Sequence, residues 1–451
     1  MFGSSCECGG HIATLRRLVS LLALAVALSA GPAVAQAPLR LSLGEALALA
    51  AQHNPTAEAA RWERMAREAD ALGASAAFLP TLSAEIGAVR TDDPVAAFGT
   101  KLRQGRFAQS DFALAALNFP SPINDVSTSL ALEQPILQLE GLFGRRAAQA
   151  GARAGRLAEV RAVQAAAFEV IRAYFGARLA EDRVLLLGES YAAAERTVRQ
   201  VARLRAEGAV TLVDAQLARS RASELEAALA GSRAAQLASV DLLLELVGAE
   251  PGQPVELSDS LTLPPDIAGD TNLRPDIAAL RAELEAQEAN VRRAQSQWAP
   301  SLAAFGDLSW HDRDVGLMSG SRHWTLGLLV RWTPFRGLAE TGQLRRARAE
   351  REATRVRLAA AERRAGSEAR AAAAEWEAAL AGYRAAEAAL WQGALAARAA
   401  SSRYDEGAAT ISELLAVRAA ESSQRVARLH ALYQARVAQA ALVLALGGSP
   451  R

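Results

Sequence analysis

Residues 324–332 read WTLGLLVRW. The even positions, Trp324, Leu326, Leu328, Val330 and Trp332, are all apolar, while Thr325, Gly327 and Arg331 sit at odd positions beside Leu329. An apolar face of period two marks a half-buried strand. Three other segments keep the same parity. Leu82, Ala84, Ile86 and Ala88 alternate with Ser83, Glu85 and Gly87. Leu130 and Leu132 lie between Ser129 and Glu133. Leu302, Ala304, Gly306, Leu308 and Trp310 alternate with Ser301, Phe305, Asp307 and Ser309. Strands are therefore predicted at about 81–90, 127–136, 301–310 and 324–333.

Alternation of this kind suits a soluble sandwich as well as a membrane barrel, and the aromatics decide between them. Trp298, Trp310, Trp324 and Trp332 bracket the third and fourth strands, where the interfacial girdles of a barrel lie. With the even face toward lipid, the odd residues, among them Glu85, Glu133, Asp307 and Arg331, line a polar interior. Four strands cannot close around a pore, and open sheet edges are not tolerated in lipid. The chain must therefore oligomerise. Three copies supply about twelve strands, an even number in the usual range, although strand count alone allows other copy numbers. An insertion between 91 and 126 and a shorter loop at 311–323 then face the cell exterior, because the helices leave from the opposite rim.

The landmarks around the strands repeat. Asn54-Pro55 answers to Arg274-Pro275 and Pro80 to Pro300, both at an offset of 220 (275 − 55, 300 − 80); Pro135 answers to Pro334, Gly208 to Gly407 and Gly248 to Gly447, at 199 (334 − 135, 407 − 208, 447 − 248). Two halves follow, residues 36–250 and 274–448, joined by a Pro-rich polar linker at 251–273. Each half reads as a first helix (about 43–78 and 275–298), two strands, and a very long helical hairpin.

Proline is absent from 136 to 250 and from 335 to 449. Some 65 residues of helix on one arm span roughly 100 Å, far beyond a globular helix, and frequent alanine lets neighbouring helices approach closely. Each hairpin turns on one phrase: LRAEGAVTLVD at 204–214 and RYDEGAATISE at 403–413. Gly208 and Gly407 suit the left-handed end of a helix, Thr211 and Thr410 the cap of the next, and Asp214 and Glu413 stand three residues on as capping-box acids. Two hairpin tips at one end of the molecule are the prediction.

The segment LRRLVSLLALAVALSAGPAVA at 15–35 has two arginines, an apolar core too short for a bilayer span of about 20 residues, and a small-x-small ending. A signal peptide of residues 1–35 is expected. Both cysteines, Cys6 and Cys8, precede that core, so no disulfide is expected in the mature chain. Without Arg16, Arg17 and Glu7 the 50 basic and 49 acidic residues become 48 and 48 (50 − 2, 49 − 1), a neutral balance that argues against nucleic acid as a partner. No nucleotide loop, thiol pair or nucleophile constellation assembles, so neither enzymatic activity nor a cofactor is expected. His311, Asp312, Asp314 and His323 share one short loop, and a hydrated loop accounts for them as well as a metal does.

With the duplicated half, the two strand pairs, the glycine tips, and QPILQLEG (134–141) and TPFRGLAETG (333–342) after the strands, the chain resembles the TolC family of outer-membrane efflux proteins over residues 42–448. The resemblance implies a mainly α protein with a transmembrane β-barrel: a homotrimer with four strands per protomer, whose twelve-stranded barrel in outer-membrane lipid continues into a long α-helical periplasmic tunnel. It implies an exit duct for tripartite efflux or type I secretion, with a periplasmic adaptor, and through it an inner-membrane pump, as partners. By position, Gly208, Ala209, Val210 and Thr211, with Gly407, Ala408, Ala409 and Thr410, become the adaptor-facing tips. Asp214 and Tyr404 fall at two gate-bonding positions and Glu413 at one acidic ring. The arginine expected in the second tip is Ala409 and the second acidic position is Ala416, which predicts a closed state held by fewer polar bonds. The alternative is a periplasmic coiled-coil adaptor or structural protein with a small soluble β domain.

Overall fold

The structure, a computed structural model, describes residues 38–263, 274–314, 316 and 318–450. The expected signal peptide and the latter part of the expected linker lie outside the described residues.

Strand β1 (Leu39–Leu41) leads into helix α1 (Leu43–His53), started by a capping box between Ser42 and Glu45. One continuous first helix is the sequence expectation, but the chain breaks at Asn54. A residue before proline is held extended; Asn54 has ψ 126°, and its Oδ1 accepts from Thr56 N at 3.0 Å and Ala57 N at 3.3 Å. A second helix, α2 (Pro55–Gly73), therefore starts with proline in its first turn. Then come β2 (Thr81–Thr91), two short helices α3 (Pro94–Arg103) and α4 (Leu114–Asn118), and β3 (Ile123–Leu137). The first hairpin is α5 (Leu139–Ala206) and α6 (Leu212–Val247). After β4 (Val255–Leu257), the second half supplies α7 (Pro275–Ser296), β5 (Ser301–Asp312), β6 (Ser321–Arg331) and the hairpin of α8 (Ala339–Asp405) and α9 (Ile411–Ala445). Among the described residues no helix is long and apolar enough to cross a membrane.

The four long strands form one antiparallel sheet in the order β2-β3-β5-β6, so β3 and β5 join the halves and β2 and β6 are its edges. Register keeps parity across its whole width. Ala84, Leu130, Leu308 and Trp324 lie in one row, and Glu85, Ser129, Ser309 and His323 in the next. Leu82, Ile86, Trp324, Leu326, Leu328 and Val330 stand 62–75% exposed on the even face. Trp332 Nε1 donates to Trp298 O at 3.1 Å at the end from which the helices leave, and Trp310 and Trp324 lie toward the other end.

At 68 and 67 residues, α5 and α8 are each roughly 100 Å long. Helix α5 packs along α6, α8 along α9, and the first part of α5 also carries α2 and α7. A β-carbon at Gly155 would lie 2.9 Å from Arg67 Cδ and 3.5 Å from Arg64 Cα, so glycine there permits the close approach of α2 to α5. The main core lies midway along the hairpins, where β1, β4 and α1 wrap onto α5 around Tyr174, Val170, Ile171, Leu243 and Val247. Burial pushes the Tyr174 phenol up from its ordinary value. Its hydroxyl donates to Leu41 O at 3.0 Å and accepts from Asp259 N at 3.1 Å, while Asp259 Oδ2 takes Leu43 N at 2.6 Å. One tyrosine thereby fastens both the start of the chain and the segment after β4 to the long helix.

Candidate functional site at the hairpin tips

Both tips are built from the same local chemistry. Gly208 and Gly407 have φ of +75° and +74°, and Ala209 N donates to Leu204 O at 2.8 Å as Ala408 N does to Arg403 O at 2.7 Å. These six-to-one bonds close the helix ends. Thr211 Oγ1 then accepts from Asp214 N, and Thr410 Oγ1 from Glu413 N, each at 3.2 Å.

The acids three residues on differ. Asp214 Oδ2 returns to Thr211 N at 2.9 Å and Thr211 Oγ1 at 2.7 Å, completing the box. Glu413 does not return to Thr410. Arg403 reaches over from the preceding helix, donating to Glu413 Oε1 at 2.9 Å and to Ala408 O at 3.1 Å. A charged donor outcompetes a backbone amide for a carboxylate, so the second tip is braced across the turn and the charge of Glu413 is compensated locally.

Tyr404 does not reach Asp214 by a hydrogen bond; its buried hydroxyl has no partner among the described residues. Burial, then the nearby carboxylates of Asp214 and Asp405, push its phenol up. Its ring instead joins an apolar cluster between the two hairpins, made by Val201 of α5, Ala215 and Ala218 of α6, Ala400 of α8, and Ile411 and Leu414 of α9. Arg418 makes a polar bond across this seam, donating to Thr197 Oγ1 of α5 at 3.1 Å, and another within its own hairpin to Ser401 Oγ of α8, also at 3.1 Å, while Ser190 Oγ of α5 meets Ser422 Oγ of α9 at 3.2 Å. Above it lies a cavity of about 460 Å³ lined by Ser190, Thr197, Arg221, Arg418, Ser422 and Arg425. Sequence reasoning missed Arg403 and Arg418. The signal for Arg418 is its place: Ile411, Leu414 and Arg418 fall at i, i+3 and i+7, so a guanidinium interrupts an apolar stripe.

The Asp214 carboxyl is held below the ordinary carboxylate range by its bonds to the Thr211 hydroxyl and amide. A lowered folded value gives stabilisation that is present above the unfolded value of about 4 and is lost as pH falls through the folded value. The first tip is therefore expected to stay capped at about pH 5. Thr211→Ala is expected to speed amide exchange about fivefold at Asp214, which loses its bond to the hydroxyl, and at Ala215, whose bond to Thr211 O frays with the cap, read by hydrogen–deuterium exchange, with the middle of α5 unchanged. Equal exchange in variant and parent refutes the capping role.

The Trp298, Trp310, Trp324 and Trp332 side chains lie at the two ends of the sheet, far along the chain from these tips. His311 Nδ1 meets Asp125 Oδ2 at 2.9 Å and His323 Nε2 meets Arg103 O at 2.7 Å, so both loop histidines are engaged by protein groups. Among the described residues no group of three or more His, Cys, Asp or Glu is placed to hold a metal ion.

The chain matches the family model described as outer membrane efflux protein over residues 46–249 and 271–448. No match arises among curated protein sequences. Solved structures share the fold. The CmeC outer membrane channel of Campylobacter jejuni is 20% identical, with a TM-score of 0.77 over 91% of this chain and 86% of that one. The outer membrane protein VceC of Vibrio cholerae is 20% identical, with 0.76 over 91% and 97%. The MtrE outer membrane channel of Neisseria gonorrhoeae, in its open state, is 19% identical, with 0.74 over 91% and 89%.

Proposed function

This chain belongs to the outer membrane efflux protein family, and from that premise we propose that three copies form an exit duct for efflux. The three four-stranded sheets join edge to edge into a twelve-stranded barrel in the outer membrane. The hairpins of residues 36–250 and 274–448, acting as structural repeats, join into a periplasmic tunnel. Supporting this most directly is the sheet: one face is largely apolar, with Leu82, Ile86, Trp324, Leu326, Leu328 and Val330 exposed on its outer strands, the other is largely polar, and both edges are open. In lipid such a sheet is stable only when its edges pair with other copies. The tryptophans at its two ends become the interfacial girdles.

Conduction is passive. A periplasmic adaptor, connecting to an inner-membrane pump, docks at 208–211 and 407–410 and draws the tips apart. Solute then passes the polar face of the sheet to the exterior. In the resting state the apolar seam around Leu414 and the Arg418–Thr197 bond hold the hairpins together, while Asp214 and Glu413 act chiefly by shaping their own turns.

The test is membrane fractionation with cross-linking. A detergent-requiring trimer in the outer membrane is the expected result. Leu326→Arg, on the even face, is expected to cost about 2–4 kcal/mol of barrel stability near the midplane and to deplete that trimer, whereas Thr325→Arg on the odd face leaves it assembled. A water-soluble single copy, obtained without amphiphile, refutes the duct.

A further inference from the structure

The stretch between β2 and β3 is not an extended loop. Asp93 Oδ1 caps α3 by accepting from Ala96 N at 2.7 Å, and Lys101 Nζ pairs with Asp111 Oδ1 at 2.8 Å. Phe98, Phe107 and Phe112 stack edge to face at 4.7 and 5.1 Å, and Ala97 is fully enclosed. The Lys101 hydrogen bond, with that of Ala108 N, holds the Asp111 carboxyl below the ordinary range. This is a small folded unit with its own core.

Its position is set by a few bonds to the outer end of the sheet. Gln104, 7% exposed, directs Nε2 at Asn124 O (2.8 Å), Asp125 Oδ1 (3.0 Å) and Asp312 O (3.1 Å). Arg103 O receives His323 Nε2 at 2.7 Å; a carbonyl only accepts, so that nitrogen carries the proton. Gly105, at φ +64°, passes beside Ser321. Asp125, Ser321 and His323 are all odd-numbered, and His323 lies in the row of Glu85, Ser129 and Ser309. The insert thus leaves the sheet at β2, crosses β3 and β5, and reaches β6 on the polar face.

We propose that residues 92–122 form a lid across the outer mouth of the duct, latched by Gln104 and His323, which limits the exported cargo to small solutes and excludes folded polypeptide. The inference rests on the proposed duct, because only in a closed barrel is the odd face the lumen. Three such lids, one per copy, converge on the axis. Their exposed apolar residues Val95, Phe112, Leu114 and Phe119 are left for the lids of the other two copies.

Labelling from outside intact cells tests the lid. Both natural cysteines precede the expected cleavage site, so Ser129→Cys, on the odd face beneath the insert, supplies a single reporter thiol. Three backgrounds are compared: the parent, Gln104→Ala with His323→Ala, and a chain whose residues 93–121 are replaced by an Asn-Gly turn. A small charged thiosulfonate is expected to label the reporter in all three. A maleimide on a long polyethylene glycol chain is expected to label the parent about tenfold more slowly than either altered chain, the population change that losing the latch bonds produces. Equal rates for the bulky reagent in all three overturn the lid and leave the duct standing. Failure of the small reagent in every background overturns the duct, and the lid with it.

Discussion

Channels carrying Leu414→Asp are expected to conduct without an adaptor, with single-channel conductance in planar bilayers several-fold above the parent. Leu414 is 2% exposed between the hairpins, against Val201 and Ile411. A carboxylate at that place loses the transfer free energy of the leucine and is partly desolvated, and by drawing on Arg418, one turn along the same face, it takes that guanidinium from Thr197 of the other hairpin. Parting the hairpins relieves that cost by hydrating the charge, so the substitution acts on the seam rather than on either helix. Leu414→Ala, which removes about 2–5 kcal/mol of packing without adding charge, is expected to give an intermediate conductance. Val213→Asp is the control, since Val213 is 65% exposed on the same tip. A folded Leu414→Asp trimer with parental conductance refutes closure by this cluster.

Gly248→Ala is expected to cripple assembly, whereas Gly208→Ala is tolerated. Both glycines end a long hairpin helix in the left-handed region, at φ of +73° and +75°, where a side chain costs roughly 1–2 kcal/mol. At Gly208 a β-carbon meets nothing within 4 Å; at Gly248 it would lie 2.6 Å from His53 Cβ and 3.2 Å from His53 O. Overpacking of that kind adds about 1–3 kcal/mol, and it falls where α1 and α6 meet beside the main core. Thermal unfolding of the detergent-solubilised trimer should show a marked loss of Tm for Gly248→Ala and a small one for Gly208→Ala. Equal shifts refute the steric part of this argument.

The strands were legible because a pleated chain exposes alternate residues, so lipid on one face leaves its mark on every second letter. The tip turns were legible for a similar reason: a left-handed glycine, a threonine cap and an acid at the third position are local requirements of ending one helix and starting another. The break at Asn54 is written too, as a capping residue before proline, inside the stretch of about 43–78 that reads as a single first helix.

What stayed hidden depends on partners distant in sequence. Nothing around Glu413 announces that Arg403, ten positions earlier, takes its carboxylate in place of the Thr410 amide. Arg418 meets Thr197 across 221 positions, and Gln104 meets Asp312 across 208. Nor does the parity of Asp125 and His323 say that the insert will turn onto the odd face.

The sequence by itself determined the architecture: alternating strands with one apolar face, proline-free hairpins, and two tips at the same end, each dictated by short-range sterics and periodic burial. Only the tertiary structure decided which groups hold the tips together and where the insert comes to rest. Those outcomes turn on competition among several acceptable hydrogen-bond and packing partners, and only the assembled backbone brings the competitors within reach.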